Sequence, residues 1–206
     1  EETLKEQGNE ESMKKLQQYK KNKSKPFFLW KLYFAEVFQR ENPGFDVVIA
    51  NPPYVQLQKD NGKLAKFYAD VGYQTFTNTG DIYMLFYEKG FQVLKSNGAL
   101  AFITSSQWMK AAYGRLLRRY FLKHNPQKLI LLGPGVFETA TVDTIILIAE
   151  KKSNQNELNC IFIKSFEEIN SKINNQWISV NYVAEDKWII QNDVEQKIKK
   201  KIEAKS

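Results

Sequence analysis

The chain has 206 residues, a formal charge of +7 and a pI near 9.2, with 43% hydrophobic and 14% aromatic residues. That suffices for one core and a small appended subdomain, while a mean hydropathy of −0.49 and no apolar run near the roughly 20 residues of a membrane span argue against a membrane protein. A single cysteine, Cys160, excludes an internal disulfide. A single histidine, His124, leaves neither a soft-ligand zinc cluster nor a Ser-His-Asp triad to build, and with no signal-like start the expected location is the cytoplasm.

Residues 1–25 are nearly all charge and amide and read as a polar helix, followed by an aromatic, extended segment from Pro26 to Phe38. Much of the positive charge lies in lysines of this stretch and of the C-terminal tail, so it favours a polyanionic partner only modestly. The run Phe45-Asp46-Val47-Val48-Ile49-Ala50 is rich in β-branched residues and bounded by Pro43-Gly44 and Pro52-Pro53, which predicts a short buried strand ending at Asn51.

The strand delivers Asn51-Pro52-Pro53-Tyr54. An exocyclic amine such as adenine N6 is a poor nucleophile because its lone pair is delocalised into the ring. It improves when two acceptors hold its hydrogens and let the nitrogen pyramidalise. Asn51 offers a side-chain oxygen. Pro52 and Pro53 lack N–H groups and have φ fixed near about −65°, so the Pro52 carbonyl can face outward with no competing donor beside it. Tyr54 supplies a flat face for a base drawn out of its stack. A plain β-turn is the competing reading of the tetrapeptide, since Asn and Pro are turn residues; the buried strand before it favours a site.

Further along, residues 55–79 form a long connection, expected to be a mobile cover, partly helical from Leu64 to Tyr68. Asp81 is expected to cap a helix reaching Leu94, which Lys95-Ser96-Asn97-Gly98 would end. A strand at residues 99–103, a helix to about Lys123, and strands at 129–132 and 144–149 follow. The alternation implies a parallel three-layer sheet, its last two strands an antiparallel hairpin at one edge. His124 would end a helix as a partial positive charge. Arg115, Arg118 and Arg119 read as a solvent-facing row, with phosphate contact the alternative. Beyond Lys152, strands near 160–164 and 177–180, a short helix at 166–173 and a basic amphipathic helix at 194–204 complete the pattern.

From Pro26 to Lys152 the chain resembles the catalytic half of a gamma-type DNA adenine-N6 methyltransferase, of the kind found in type IIG restriction-modification enzymes and their phage-defence relatives. The likeness rests on an ordered set: the aromatic lead-in Pro26 to Phe38, Asn51-Pro52-Pro53-Tyr54, the helix Gly80-Asp81-Ile82-Tyr83-Met84-Leu85-Phe86-Tyr87-Glu88-Lys89-Gly90, the strand Gly98 to Ser105, Trp108 with Tyr113 to Arg118, Gly135-Val136-Phe137, and the strand Val142 to Ile148. It implies an α/β fold: a partial Rossmann-like methyltransferase sandwich holding the C-terminal half of the sheet, with an α+β extension. It implies domains at 1–25 (charged helix), 26–152 (catalytic half) and 153–206 (bridge to a target recognition domain).

The resemblance also assigns roles. Asn51, Pro52, Pro53 and Tyr54 fall on the catalytic turn, Tyr54 and Phe137 on the pair sandwiching a flipped adenine, and Phe86 and Asn51 on the side of S-adenosylmethionine. By helical spacing alone Phe86 sits on the apolar stripe Ile82, Leu85, Phe86, Val93 and reads as core. The implied partner is double-stranded DNA. The glycine-rich cofactor loop and acidic ribose ligand of such enzymes have no counterpart here, since Gly8 is the lone glycine before Phe27. The expectation is therefore a polypeptide missing both flanks, through truncation or a split gene, that binds S-adenosylmethionine poorly by itself. Its strand ending at Asn51 would lack a neighbour, to be covered by Leu29 to Phe34 or by a second copy of the chain. The competing functional expectations are methylation of a protein glutamine or an RNA amine, and a non-catalytic nucleic-acid-binding or assembly module.

Overall fold

The structure is a computed structural model that describes residues 28–133, 143–165, 167–174, 176–181 and 186–190. The expected helices at 1–25 and 194–204, and Phe137, lie outside the described residues. The chain divides into two units, Glu1–Glu41 and Asn42–Ser206.

In the first unit the aromatic segment is helical where an extended one was expected: single turns α1 (Trp30–Tyr33) and α2 (Ala35–Phe38). Helical winding stacks the rings on one another, Phe28 on Tyr33 at 4.7 Å and Trp30 on Phe34 at 5.9 Å. An extended backbone would send successive rings to opposite sides. The described part of the segment thus contains no strand.

In the second unit, β1 (Phe45–Ala50) leads through the turn into α3 (Lys59–Ala69), α4 (Tyr83–Val93) and β2 (Leu94–Ser105). Two 3-10 turns, Gln107–Met109 and Ala112–Gly114, precede α5 (Arg115–Phe121). Then come β3 (Asn125–Leu132), β4 (Thr144–Glu150), β5 (Glu157–Ile163), α6 (Glu168–Ile173) and β6 (Ile178–Asn181). The described strands form one sheet in the order β1-β2-β4-β3-β5-β6. β1 and β2 are parallel, β4 is antiparallel to both β2 and β3, β5 is parallel to β3, and β6 is antiparallel to β5. This is an α/β, Rossmann-like sheet in which β1, β2, β3 and β5 direct their carboxyl ends to one edge, where ligands bind in open α/β folds.

Each face of the sheet has its own core. On one, Leu100, Phe102, Leu129 and Leu147 pack with Tyr87, Phe91, Leu117 and Phe121 of α4 and α5. On the other, Ile130, Leu132, Ile161 and Ile163 pack with Ile169 of α6 and with Trp177. Val48 and Ala50 of β1 join the first core, so alternation turns Val47 and Ile49 to the opposite face, where they are 54% and 77% exposed.

Several expectations change. The antiparallel hairpin exists, but β4 inserts between β2 and β3, and β5 and β6 extend the same sheet beyond it, so it does not form an edge. Lys95-Ser96-Asn97-Gly98 lies within β2: the helix stops at Val93, Asn97 takes φ +61°, and the register against β1 shifts between Phe45 and Val47. Gly44 matches this irregularity with φ +118°, and a Cβ there would meet the Leu94–Lys95 backbone at 2.4–2.5 Å.

The 55–79 connection is anchored rather than loose. Leu57, Ala65 and Leu85 form a small core of their own, and the buried Glu88 carboxylate accepts from both the backbone N–H (2.9 Å) and the hydroxyl (3.1 Å) of Thr75. Arg118 is buried instead of solvent-facing, its Nη1 donating to the carbonyls of Trp108 (2.6 Å) and Ala111 (3.0 Å). His124 does follow the helix end, but it stacks flat on Phe91 at 3.8 Å, and burial, with Lys151 and Lys123 nearby, lowers its pKa to about 4. It is neutral, so it brings no charge to the dipole.

Candidate active site

The corner after β1 stands at the carboxyl edge of the sheet. Asn51 and Pro53 are exposed, so the Asn51 carboxamide is open to solvent, but Pro52, whose carbonyl was expected to face outward, is buried. Tyr54 is 38% exposed and rests edge-on against Tyr83, with ring centroids 5.9 Å apart at 72°. Burial raises the Tyr54 pKa, so its phenol is neutral and its ring serves as an apolar face.

The residues after the corner are tied to the start of α4. The Ile82 N–H donates to the Val55 carbonyl at 2.9 Å, the Leu57 N–H donates to the Gly80 carbonyl at 2.8 Å, and Gln56 and Asp81 pair as an isolated antiparallel bridge. The turn and the helix therefore share a backbone clamp. Phe86, one turn into that helix, is 40% exposed, so it is not a core residue despite its place on an apolar stripe.

A polar cluster beside the corner was not read from the sequence as such. Asp81 was expected to cap α4, yet the N-cap position is Ile82 and no side chain caps it. The Asp81 carboxylate turns instead to Tyr113, whose hydroxyl lies 3.3 Å from both Asp81 Oδ2 and Gln107 Oε1. With one proton to give, that hydroxyl favours the carboxylate, the stronger acceptor. The Tyr83 hydroxyl is 3.4 Å from that of Tyr113. Burial pushes the Asp81 carboxyl above its usual range, opposed by the Tyr113 and Tyr83 hydroxyls and the Lys59 charge. An aspartate ahead of a helix resembles a cap in any sequence; only the distant Tyr113 distinguishes this one.

A cavity of about 760 Å³ opens along the same edge, lined among others by Ser106, Lys110, Asp143, Lys164, Lys172 and Trp177. Asn51, Tyr54 and Phe86 do not line it. Among the described residues no group of three His, Cys, Asp or Glu could hold a metal ion, and no helix is long and apolar enough to cross a membrane.

The model of the Eco57I restriction-modification methylase family matches residues 1–137. A provisionally named type II restriction enzyme and methyltransferase of Methanocaldococcus jannaschii is 34% identical over 152 residues, 73% of this chain and 12% of that protein. The type II restriction enzyme and methyltransferase RM.Eco57I of Escherichia coli is 29% identical over 173 residues, 79% of this chain and 17% of that protein. The chain thus spans less than a fifth of either relative. Among solved structures, a nuclease-deletion mutant of the Type ISP restriction-modification enzyme LlaGI, in complex with a DNA substrate mimic, superposes with a TM-score of 0.51 at 16% identity, covering 73% of this chain and 16% of that one. At that identity the likeness concerns the fold.

Proposed function

Since this chain belongs to the Eco57I restriction-modification methylase family, we propose that it carries the amine-orienting part of an S-adenosylmethionine-dependent DNA methyltransferase acting on adenine N6 in the cytoplasm. The supporting observation is the corner itself: an open Asn51 carboxamide beside a half-open Tyr54 ring, at the carboxyl end of β1.

In this reading the open Asn51 oxygen accepts one hydrogen of the target amine and the Pro52 carbonyl, covered in the chain without substrate, accepts the other as the base enters, drawing the amine's lone pair out of conjugation. Tyr54 receives the purine face, a contact worth on the order of 1–3 kcal/mol that offsets part of the few kcal/mol needed to unstack the base. Phe137, which falls between β3 and β4 in the sequence, is the proposed second face. The bound cofactor supplies an electrophilic methyl group on a sulfonium. Phe86 fits such a ligand, since an exposed ring at the start of the helix clamped to the segment after the corner can pack on an adenine, and Asn51 is the residue proposed to reach it from the corner.

The test is Asn51→Ala in the full-length protein. Methylation of duplex DNA should fall by about 10²-fold or more, as for loss of a preorganised polar contact, while DNA binding remains measurable. Retained turnover would overturn the assignment.

A further inference from the structure

Asp81 stands where three pieces of the edge converge: the segment following the corner, through the Gln56 bridge; the start of α4; and the 3-10 turns after β2, through Tyr113 and Gln107. It is 7% exposed and makes no cap bond, so its carboxylate serves the tyrosines. Tyr83 is fully buried, its hydroxyl is 3.4 Å from that of Tyr113, and its ring forms the support on which Tyr54 leans at 5.9 Å. A ring held only by apolar neighbours can pivot about its Cα–Cβ bond; one whose hydroxyl is tethered at the far end cannot.

We propose that Asp81 is a positioning residue of the methyl-transfer site: its carboxylate fixes the Tyr113 and Tyr83 hydroxyls and, through the Tyr83 ring, the Tyr54 face that receives the target base. This rests on the functional reading above and adds a residue outside the corner. The geometry divides the work. Asn51 and Tyr54 touch the base, whereas Asp81 reaches it only through two other rings, so its loss affects the fit of the bound base more than the encounter with DNA.

The experiment compares Asp81→Ala, Asp81→Asn and Tyr113→Phe in the full-length protein, with Asn51→Ala alongside. It uses steady-state methylation of its duplex and the fluorescence of 2-aminopurine placed at the target adenine. Asp81→Ala should lower kcat by about 10-fold or more with KM for DNA little changed, the scale expected of a small misplacement of reacting groups, and should dim the 2-aminopurine signal. Asp81→Asn, which keeps an acceptor oxygen, should recover most of both, and Tyr113→Phe should reproduce a part of the loss without adding to Asp81→Ala.

Wild-type kcat and fluorescence in folded Asp81→Ala would overturn the proposal, as would an Asp81→Asn protein as impaired as Asp81→Ala. If Asp81→Ala does not fold, Tyr113→Phe decides by the same two readouts. An inactive Asn51→Ala beside fully active Asp81→Ala and Tyr113→Phe sinks this inference alone, while an active Asn51→Ala sinks the functional reading beneath it.

Discussion

His124 shows how much one side chain's surroundings change its meaning. Beyond the end of a helix a histidine suggests a favourable charge, but here it is sandwiched into the aromatic core against Phe91 and Tyr120 and held neutral. Its folded pKa of about 4 lies below the ordinary 6.5, so between those values the unfolded chain binds the extra proton. The contribution to stability is therefore complete above about pH 6.5 and is lost as pH falls through about 4, amounting to about 3 kcal/mol at most. Replacing the imidazole by a ring that cannot titrate, His124→Phe, should keep the stack and flatten the fall in melting temperature between pH 6.5 and 4; an unchanged slope would show that other groups carry it. At this scale the sequence was legible in position: Asn51 and Tyr54 stand exposed directly after β1, where the turn was expected. It was misleading at Asp81 and Arg118, because chain position and charge say nothing of the distant hydroxyl and carbonyls that meet those side chains, and at Phe86, whose place on an apolar stripe does not reveal that it is 40% exposed.

Among the elements, the two 3-10 turns after β2 depend on a single residue without a side chain. A Cβ on Gly114 would lie 1.9 Å from the Trp108 carbonyl oxygen, the same oxygen that accepts from Arg118. Gly114→Ala must therefore move the backbone of the first turn and break the Arg118 tie. We expect a loss of about 3 kcal/mol or more and a fall of about 10 °C in Tm, read by thermal unfolding. An unaltered Tm would mean that the turn can open without cost.

The strands β1 and β4 fall where their β-branched runs place them, but β1 is not the buried strand expected, since none of its residues is buried, and β3 begins at Asn125, four residues before the expected start. The aromatic segment was not legible, since ring-on-ring stacking at helical spacing outweighs the β preference of the same residues. Nor was the packing of the 55–79 connection, which depends on Glu88, a residue that looks solvent-facing until Thr75 meets it.

In the second unit, the exposed side chains of Val47 and Ile49 place an apolar patch on the face of β1 turned away from the core. Exposed apolar patches of this kind recruit further copies. The 206-residue chain alone should therefore self-associate in sedimentation equilibrium, and Val47→Lys with Ile49→Lys should shift it toward the monomer; a monomeric wild-type chain at high concentration would refute this. The strand order was only partly legible, because a hairpin's sequence does not reveal which of its two arms will meet an earlier strand.

That arrangement has a consequence for biosynthesis. β2 gains its second neighbour only when β4 is made, and β3 must be laid down between them in the chain while ending up farther away in space. On a ribosome the nascent polypeptide emerges with one flank of β2 waiting through the whole of α5 and β3. Such nonlocal closure is slow and leaves the growing chain adhesive for the interval. Translation speed through residues 106–150, and chaperones that shield a half-built sheet, thereby become determinants of yield for any polypeptide containing this segment.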